Sequence, residues 1–263
     1  MLNISDVSSI MKTAANTFIM PRFQNLTAKD IFKKSATDYV TTADFETEKY
    51  LKSQLLKVMP GSIFVGEETI HTHRDIDAVL QKKGPIWIID PIDGTNNFMA
   101  GNPNFCIMIA LIFNSVPFAS WIYAPAFDTI AEAQIAKGAW LNKKRLRIID
   151  NGVLERIVIT HPHYQTGPET DVLRKLEAPN ISLVPSRSAG LEYIDLATNE
   201  NDAAVFTWGN LWDHCAGLLI HRESGGYNAC IDNSQFMINK ANKTPIIAAK
   251  SFKAFEHIRM TIE

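Results

Sequence analysis

Hydrophobic positions recur along this chain with two different periods, and the change from one to the other organises it. Val7, Met11, Ala14 and Phe18 follow an i, i+4, i+7, i+11 spacing, which predicts one buried face of a helix over 5–20 with Ser5 as its N-cap. A second helical stretch covers 44–58. Short apolar runs then take over. The stretches 62–65, 86–89, 105–113, 117–123 and 129–135 read as strands, several close enough in sequence to pair as an antiparallel meander. The longest of them, 105–113, is far short of the roughly 20 residues a bilayer demands, so it reads as a buried strand.

Beyond Asp150 strand-like and helix-like segments alternate, at 156–160, 169–176, 181–185, 191–198 and 203–207. The stretch 209–226 then reads as a helix with Leu211, Cys215, Leu218 and Leu219 on one face, closed by Gly225-Gly226, and it sets Asp213 at the helix start. The predicted class is α+β, with residues 1–150 forming an α+β half and 151–263 an α/β half. No internal repeat or low-complexity linker separates the two.

Composition narrows the function more than the fold. The 263 residues are 46% hydrophobic and 21% charged, enough for one large domain or two intimately packed ones. A net charge of -2 with no long Lys/Arg run removes the footprint of a dedicated nucleic-acid binder and leaves a small ligand as the default. Cys106, Cys215 and Cys230 are sparse and lack CxxC spacing, which points to free thiols in a reducing compartment, the cytoplasm. The first residues also lack the basic segment and solid apolar run of a secretory signal.

The most informative stretch is 85–98, PIWIIDPIDGTNNF, where a buried-strand pattern ends in an acid, a proline and a second acid. Pro91 is expected to force a turn, leaving the Ile92 carbonyl outside regular structure and starting a helix at Asp93-Gly94-Thr95. Glycine at 94 lets the backbone approach an anion, and a helix start favours phosphate. Asp90 and Asp93 admit two readings at this point. Both can cap the helix, or both can face one pocket, where repulsion of roughly 4 kcal/mol at 4 Å and an effective dielectric of 20 invites a cation. The available donors are hard oxygens, with no Cys cluster and no HExxH, a set suited to magnesium or manganese rather than zinc.

Two further acids sit at comparable places, Glu67 after the apolar run in SIFVGEET and Asp213 in WDHCAG. With GEE, WIIDPIDGTNNF and WDHCAG in this order, from the Asp38-to-Asp44 stretch DYVTTAD through Gly225-Gly226, the chain resembles the inositol monophosphatase family of lithium-sensitive, magnesium-dependent phosphatases. The resemblance implies a layered αβαβα sandwich, often a homodimer, acting on a small phosphorylated metabolite away from membranes. It implies a first metal on Glu67, Asp90 and the Ile92 carbonyl, and a second on Asp90, Asp93 and Asp213. A third, looser ion would sit near Glu67. In such a site Thr95 orients the attacking water with Glu67, and the amides of Gly94 and Thr95 bind phosphoryl oxygens, with no phosphoenzyme. The hydroxyl-binding set of the family corresponds to Asp93 and the Gly190-Leu191-Glu192 segment. A family carboxylate just before the WD motif falls on Phe206, which also reads as the end of a buried strand.

Asp44 matches a family acid near the third metal, and Thr41-x-x-Asp44 is also a capping-box pattern, two compatible roles. Glu68 is expected to face away from Glu67, as neighbours in an extended chain do. The pairs His71/His73 and His161/His163 read as surface-loop histidines, His214 as packing beside Asp213, and Lys33-Lys34 as a solvated charge pair near the family's phosphate-site lysine. The implied substrates range from inositol 1-phosphate and related polyol or sugar phosphates to fructose 1,6-bisphosphate and 3'(2'),5'-bisphosphate nucleotides. A regulatory binding protein that keeps the phosphatase fold is the alternative of a different class.

Overall fold

The computed structural model describes residues 3–35, 39–70, 76–159, 173–238, 242 and 244–263. Helix α1 (Ile4–Ala14) is capped by Asn3, whose side chain accepts from the Ser5 amide, so the cap lies two residues ahead of the expected Ser5. A π-helical turn, Ala15–Ile19, continues it. That extra residue rotates the buried face, so Ile19 rather than Phe18 is sealed into the core. Strands β1 (Ile31–Lys33) and β2 (Tyr39–Thr41) pair antiparallel and lead into α2 (Thr42–Val58).

A seven-stranded sheet follows. Its members are β3 (Ile63–Gly66), β4 (Pro85–Asp93), β5 (Cys106–Phe113), β6 (Val116–Ala124), β7 (Thr129–Gln134), β8 (Gly138–Leu141) and β9 (Lys144–Arg145), in that spatial order. Only β3 and β4 run parallel, and the rest form the expected meander. Short helices α3 (Ile76–Leu80) and α4 (Thr95–Met99) flank β4. Both faces of the sheet are covered, which explains the unbroken apolar run of β5. Ile107, Ile109 and Leu111 meet α1 and α2, while Met108, Ala110 and Ile112 meet the helices on the other side.

After Asp150 come β10 (Arg156–Ile159), β11 (Ser182–Pro185), α5 (Ala189–Ala197), β12 (Ala203–Phe206), α6 (Leu211–Glu223), β13 (Tyr227–Cys230), β14 (Ile246–Ala249) and α7 (Phe252–Ile262). The five strands form a second sheet in the order β11-β10-β12-β14-β13. Leu191 and Tyr193 of α5 and Leu218 and Leu219 of α6 fill the space between the two sheets. On the outer side Phe255 and Ile258 of α7 cover Ile157, Val205 and Ile247. The layers therefore run α1/α2, sheet, α5/α6, sheet, α7, an αβαβα sandwich. Among the described residues no helix is long and apolar enough to cross a membrane.

Candidate active site

Pro91 does not turn the chain. β4 continues through it to Asp93, and a register shift absorbs the residue that cannot donate: Asp90 pairs with Met108 and Asp93 with Cys106. The resulting bulge lets Asp90 accept the Ile92 amide on Oδ1 at 2.9 Å and delivers both acids to one place. Gly94 then takes φ +89, and a Cβ there would stand 2.8 Å from the Asn104 carbonyl oxygen, so glycine is required to begin α4 at Thr95.

Oxygens of Asp90, Asp93 and Asp213 come within 4.8 Å of one another. Asp213 arrives from the first turn of α6, where Asn210 Nδ2 donates to its Oδ2 at 3.1 Å. Asp93 is gripped from the other side. Its carboxylate accepts the Ala189 and Gly190 amides at 3.2 and 2.7 Å, the first N-H groups of α5, with the Cys106 thiol at 3.4 Å. Burial raises the pKa of Asp90 and of Asp213 well above the ordinary value, and the mutual repulsion of these acids with Glu67 raises both further. Burial also raises Asp93, although hydrogen bonds from Gly190, Ser188 and Cys106 oppose it. A buried, all-oxygen cluster of like charges fits a hard divalent cation.

Glu67 lies beside this cluster, just past β3, with its amide on the Ile89 carbonyl at 3.0 Å. Its Oε1 is 2.9 Å from Lys34 Nζ, and the same ammonium lies 2.6 Å from Glu68 Oε1. Two expectations are corrected here. Glu68 does not point away from Glu67, because the chain leaves the strand at Gly66 and turns, which ends the alternation of faces. Lys34 is not a free charge: burial works against its ammonium, yet Glu67 and Glu68 hold its pKa above the usual lysine value.

Thr95 Oγ1 donates to the Ile92 carbonyl at 2.9 Å and lies 3.4 Å from Asp44 Oδ1. Asp44 completes the capping box of α2, accepting the Thr41 amide and hydroxyl on Oδ2 at 2.8 and 2.6 Å. The capping role read for Asp44 is thus present, and the same carboxylate lies beside Thr95. Burial pushes its pKa up to about 7, against the Thr41 hydrogen bonds. The Ile92 carbonyl keeps a second lone pair beyond its bond to Thr95.

The segment matched to hydroxyl binding is committed within the protein. The Gly190 amide serves Asp93, Leu191 is packed between the sheets, and the buried Glu192 accepts the Arg187 amide at 2.8 Å and its Nε at 3.2 Å. Phe206 ends β12 and stacks on Tyr193 at 5.0 Å. His214 packs as expected: its Nε2-H donates to the Trp208 carbonyl at 3.0 Å, and Nδ1 accepts the Tyr193 hydroxyl at 2.9 Å. Burial lowers its pKa to about 3. His71, His73, His161 and His163 lie outside the described residues. Sequence reasoning missed Glu48, whose Oε2 accepts the Glu68 amide at 2.8 Å. Its signal was available, since Glu48 stands one helical turn after Asp44. Asn97, which ties α4 to the Asn104 and Arg187 carbonyls at 2.9 and 2.7 Å, was also passed over.

Comparison with known proteins agrees with this geometry along nearly the whole chain. The sequence model of the inositol monophosphatase family matches residues 3–260. An inositol-1-monophosphatase of Mesorhizobium japonicum is 33% identical over 214 residues, 80% of this chain and 78% of its own. A fructose-1,6-bisphosphatase/inositol-1-monophosphatase of Thermotoga maritima is 32% identical over 208 residues, 78% of this chain and 75% of its own. The crystal structure of the extragenic suppressor protein suhB from Bartonella henselae superposes with a TM-score of 0.84 at 28% identity, covering 99% of this chain and 98% of that one. With sandwich, carboxylate cluster and sequence match in accord, the chain belongs to the inositol monophosphatase family and is a phosphatase of the phosphoric monoester hydrolase class.

Proposed function

We propose that this phosphatase hydrolyses the phosphate monoester of a small polyol or sugar, inositol 1-phosphate or a relative, with magnesium as its cofactor. The observation that carries the reading is the convergence of Asp90, Asp93 and Asp213, with Glu67 adjoining them. Glu67, Asp90, Asp93, Asp213 and the Ile92 carbonyl would hold two ions, manganese being able to substitute, and Asp44 would border a third. Bound divalent cations supply an activated water near neutral pH and a clamp on the phosphoryl and leaving oxygens.

The chain's own groups do the rest. Thr95, whose hydroxyl donates a hydrogen bond to the Ile92 carbonyl, offers oxygen lone pairs to a water proton, and Glu67 would orient the same water. The Gly94 and Thr95 amides fix the phosphoryl group for in-line attack. Water adds to phosphorus, the ester P-O bond breaks, and the alcohol leaves with a proton. The low charge and buried thiols suit a cytoplasmic protein, and the family resemblance supports a homodimer.

Phosphate release from inositol, sugar and nucleotide phosphates, measured with magnesium and with EDTA, tests the reading. Magnesium-dependent turnover of a polyol or sugar phosphate is expected. Turnover undiminished in EDTA overturns the metal assignment, and absence of turnover across the panel favours the regulatory alternative. The combined activity named for the Thermotoga maritima relative makes fructose 1,6-bisphosphate the second substrate to try.

A further inference from the structure

Helix α2 carries two buried acids on one face, Asp44 and Glu48, four residues apart. The first belongs to the site already described. Glu48 touches none of the clustered aspartates through a hydrogen bond. Its Oε2 accepts the Glu68 amide at 2.8 Å, and its side chain is closed off from solvent, with the residue only 2% exposed. A carboxylate at such a place is costly to bury: burial raises its pKa, and hydrogen bonds from Thr69 and the Glu68 amide oppose the rise.

The backbone explains what this cost secures. Glu67 is the first residue beyond β3, at the start of a turn, and past its own amide the strand ladder no longer fixes its conformation. Two consecutive N-H groups are tied down instead. The Glu67 amide donates to the Ile89 carbonyl of β4 at 3.0 Å, and the next amide, of Glu68, donates to Glu48. The two peptide planes flanking the Glu67 α-carbon are therefore held from opposite sides, one by the sheet and one by α2. Gly66 makes room for the second hold, since a methyl group there would overlap the Glu48 carboxyl group.

We propose that Glu48 is a positioning residue: by accepting the Glu68 amide, it sets the direction in which Glu67 presents its carboxylate to the metal-binding cluster. This rests on the reading of Glu67 as a carboxylate that holds metal. What matters in Glu48 is the reach of its acceptor oxygen, so shortening the side chain and neutralising it have different consequences.

Calorimetric titration of magnesium into metal-free protein, paired with kcat against magnesium concentration, reads this directly. Glu48→Asp retains the charge but falls a methylene short of the Glu68 amide. It is expected to raise the half-saturating magnesium by about tenfold or more, the range seen when outer partners of a metal ligand are lost, with kcat largely restored by excess magnesium. Glu48→Gln keeps the reach and is expected to rescue binding to within about threefold of the parent. Gly66→Ala approaches the same contact from the other side and is expected to reproduce the Asp defect, which keeps the test available if Glu48→Asp does not fold. Parental magnesium affinity in folded Glu48→Asp or Gly66→Ala overturns the proposal, as does a Gln variant as weak as Asp. Glu67→Gln is the control: if it too binds magnesium normally, the metal-holding role of Glu67 fails instead.

Discussion

Lys34 stands 2.9 Å from the Glu67 carboxylate, so in the metal-free protein an ammonium supplies the compensating charge at the edge of the acid cluster. A second acid, Glu68, shares it at 2.6 Å. If Glu67 holds metal as proposed, the ammonium and the divalent cation compete for its carboxylate. Lys34→Met should therefore lower stability in EDTA while leaving the magnesium-loaded protein little changed. The side chains are 25% and 20% exposed, and solvent screening limits the loss to about 1 kcal/mol, or ~2–4 °C in Tm for a chain of this size. Differential scanning calorimetry with EDTA and with magnesium checks this. An equal loss under both conditions would show that Lys34 acts through packing alone.

The buried acids should make the metal-free protein lose stability as pH rises from about 4.5 to about 8. Burial pushes Asp44 up to about 7 and Glu68 up to about 8, and it raises Asp90 and Asp213 as well. A carboxyl group whose pKa is higher folded than unfolded stabilises fully below the unfolded value, and the contribution is lost as pH climbs through the folded one. His214 and His221 act in the opposite sense. Burial lowers both to about 3, so their contribution is present above the ordinary histidine value and lost as pH falls toward the folded one. Magnesium compensates the ionised acids and should flatten the alkaline decline alone. Tm against pH, with and without the ion, separates the two limbs, and an alkaline decline unchanged by saturating magnesium contradicts this assignment.

Thr95→Ala and Glu67→Gln should each depress kcat far more than they raise KM, because orienting a nucleophile matters in the transition state and little in ground-state binding. A loss of roughly 10²–10⁴-fold is the scale for removing a positioned proton-handling group. Thr95 Oγ1 is bonded to the Ile92 carbonyl and stands 3.4 Å from Asp44, contacts that alanine loses. Steady-state kinetics at saturating magnesium decide the matter. A KM-only defect would assign both residues to substrate binding.

The acids proposed to hold metal were legible in the sequence because each stands where an apolar periodicity stops, Glu67 after β3, Asp90 near the end of β4, Asp213 at the start of α6. The sandwich layers came from the family resemblance, and the apolar run of β5, buried on both faces, agrees with them. What escaped were relations that depend on a bond closed in space. Pro91 was read as a turn, since sequence alone does not reveal that β4 absorbs it in a bulge while still paired with β5. Lys34 and Glu68 were read from local rules for exposed or extended residues, and the turn after Gly66 overrode both. The match of the Gly190 segment to substrate binding gave no sign that its helix start also holds Asp93, across 97 positions of sequence.

Inositol 1-phosphate should be a usable but not strongly preferred substrate. The family resemblance places a hydroxyl-binding carboxylate at the position of Phe206, and that ring is 1% exposed, stacked on Tyr193 and edge-on to Trp208 at 5.3 Å. Glu192 does not replace the missing acid, because its carboxylate is occupied by Arg187 and approached by Asn201 Nδ2 at 3.4 Å. Discrimination among polyols comes from satisfied hydrogen bonds and the penalty on unpaired ones, so a site lacking this acceptor tolerates several leaving alcohols. Restoring the acid by Phe206→Glu should not sharpen selectivity. It would bury a carboxylate among aromatic rings and empty the space the phenyl ring fills, at a cost of about 3–5 kcal/mol. Ratios of kcat/KM across the phosphate panel test the expectation. A preference for inositol 1-phosphate of a hundredfold or more, roughly 2.7 kcal/mol of transition-state binding, would require an acceptor elsewhere in the site and would refute the argument from Phe206.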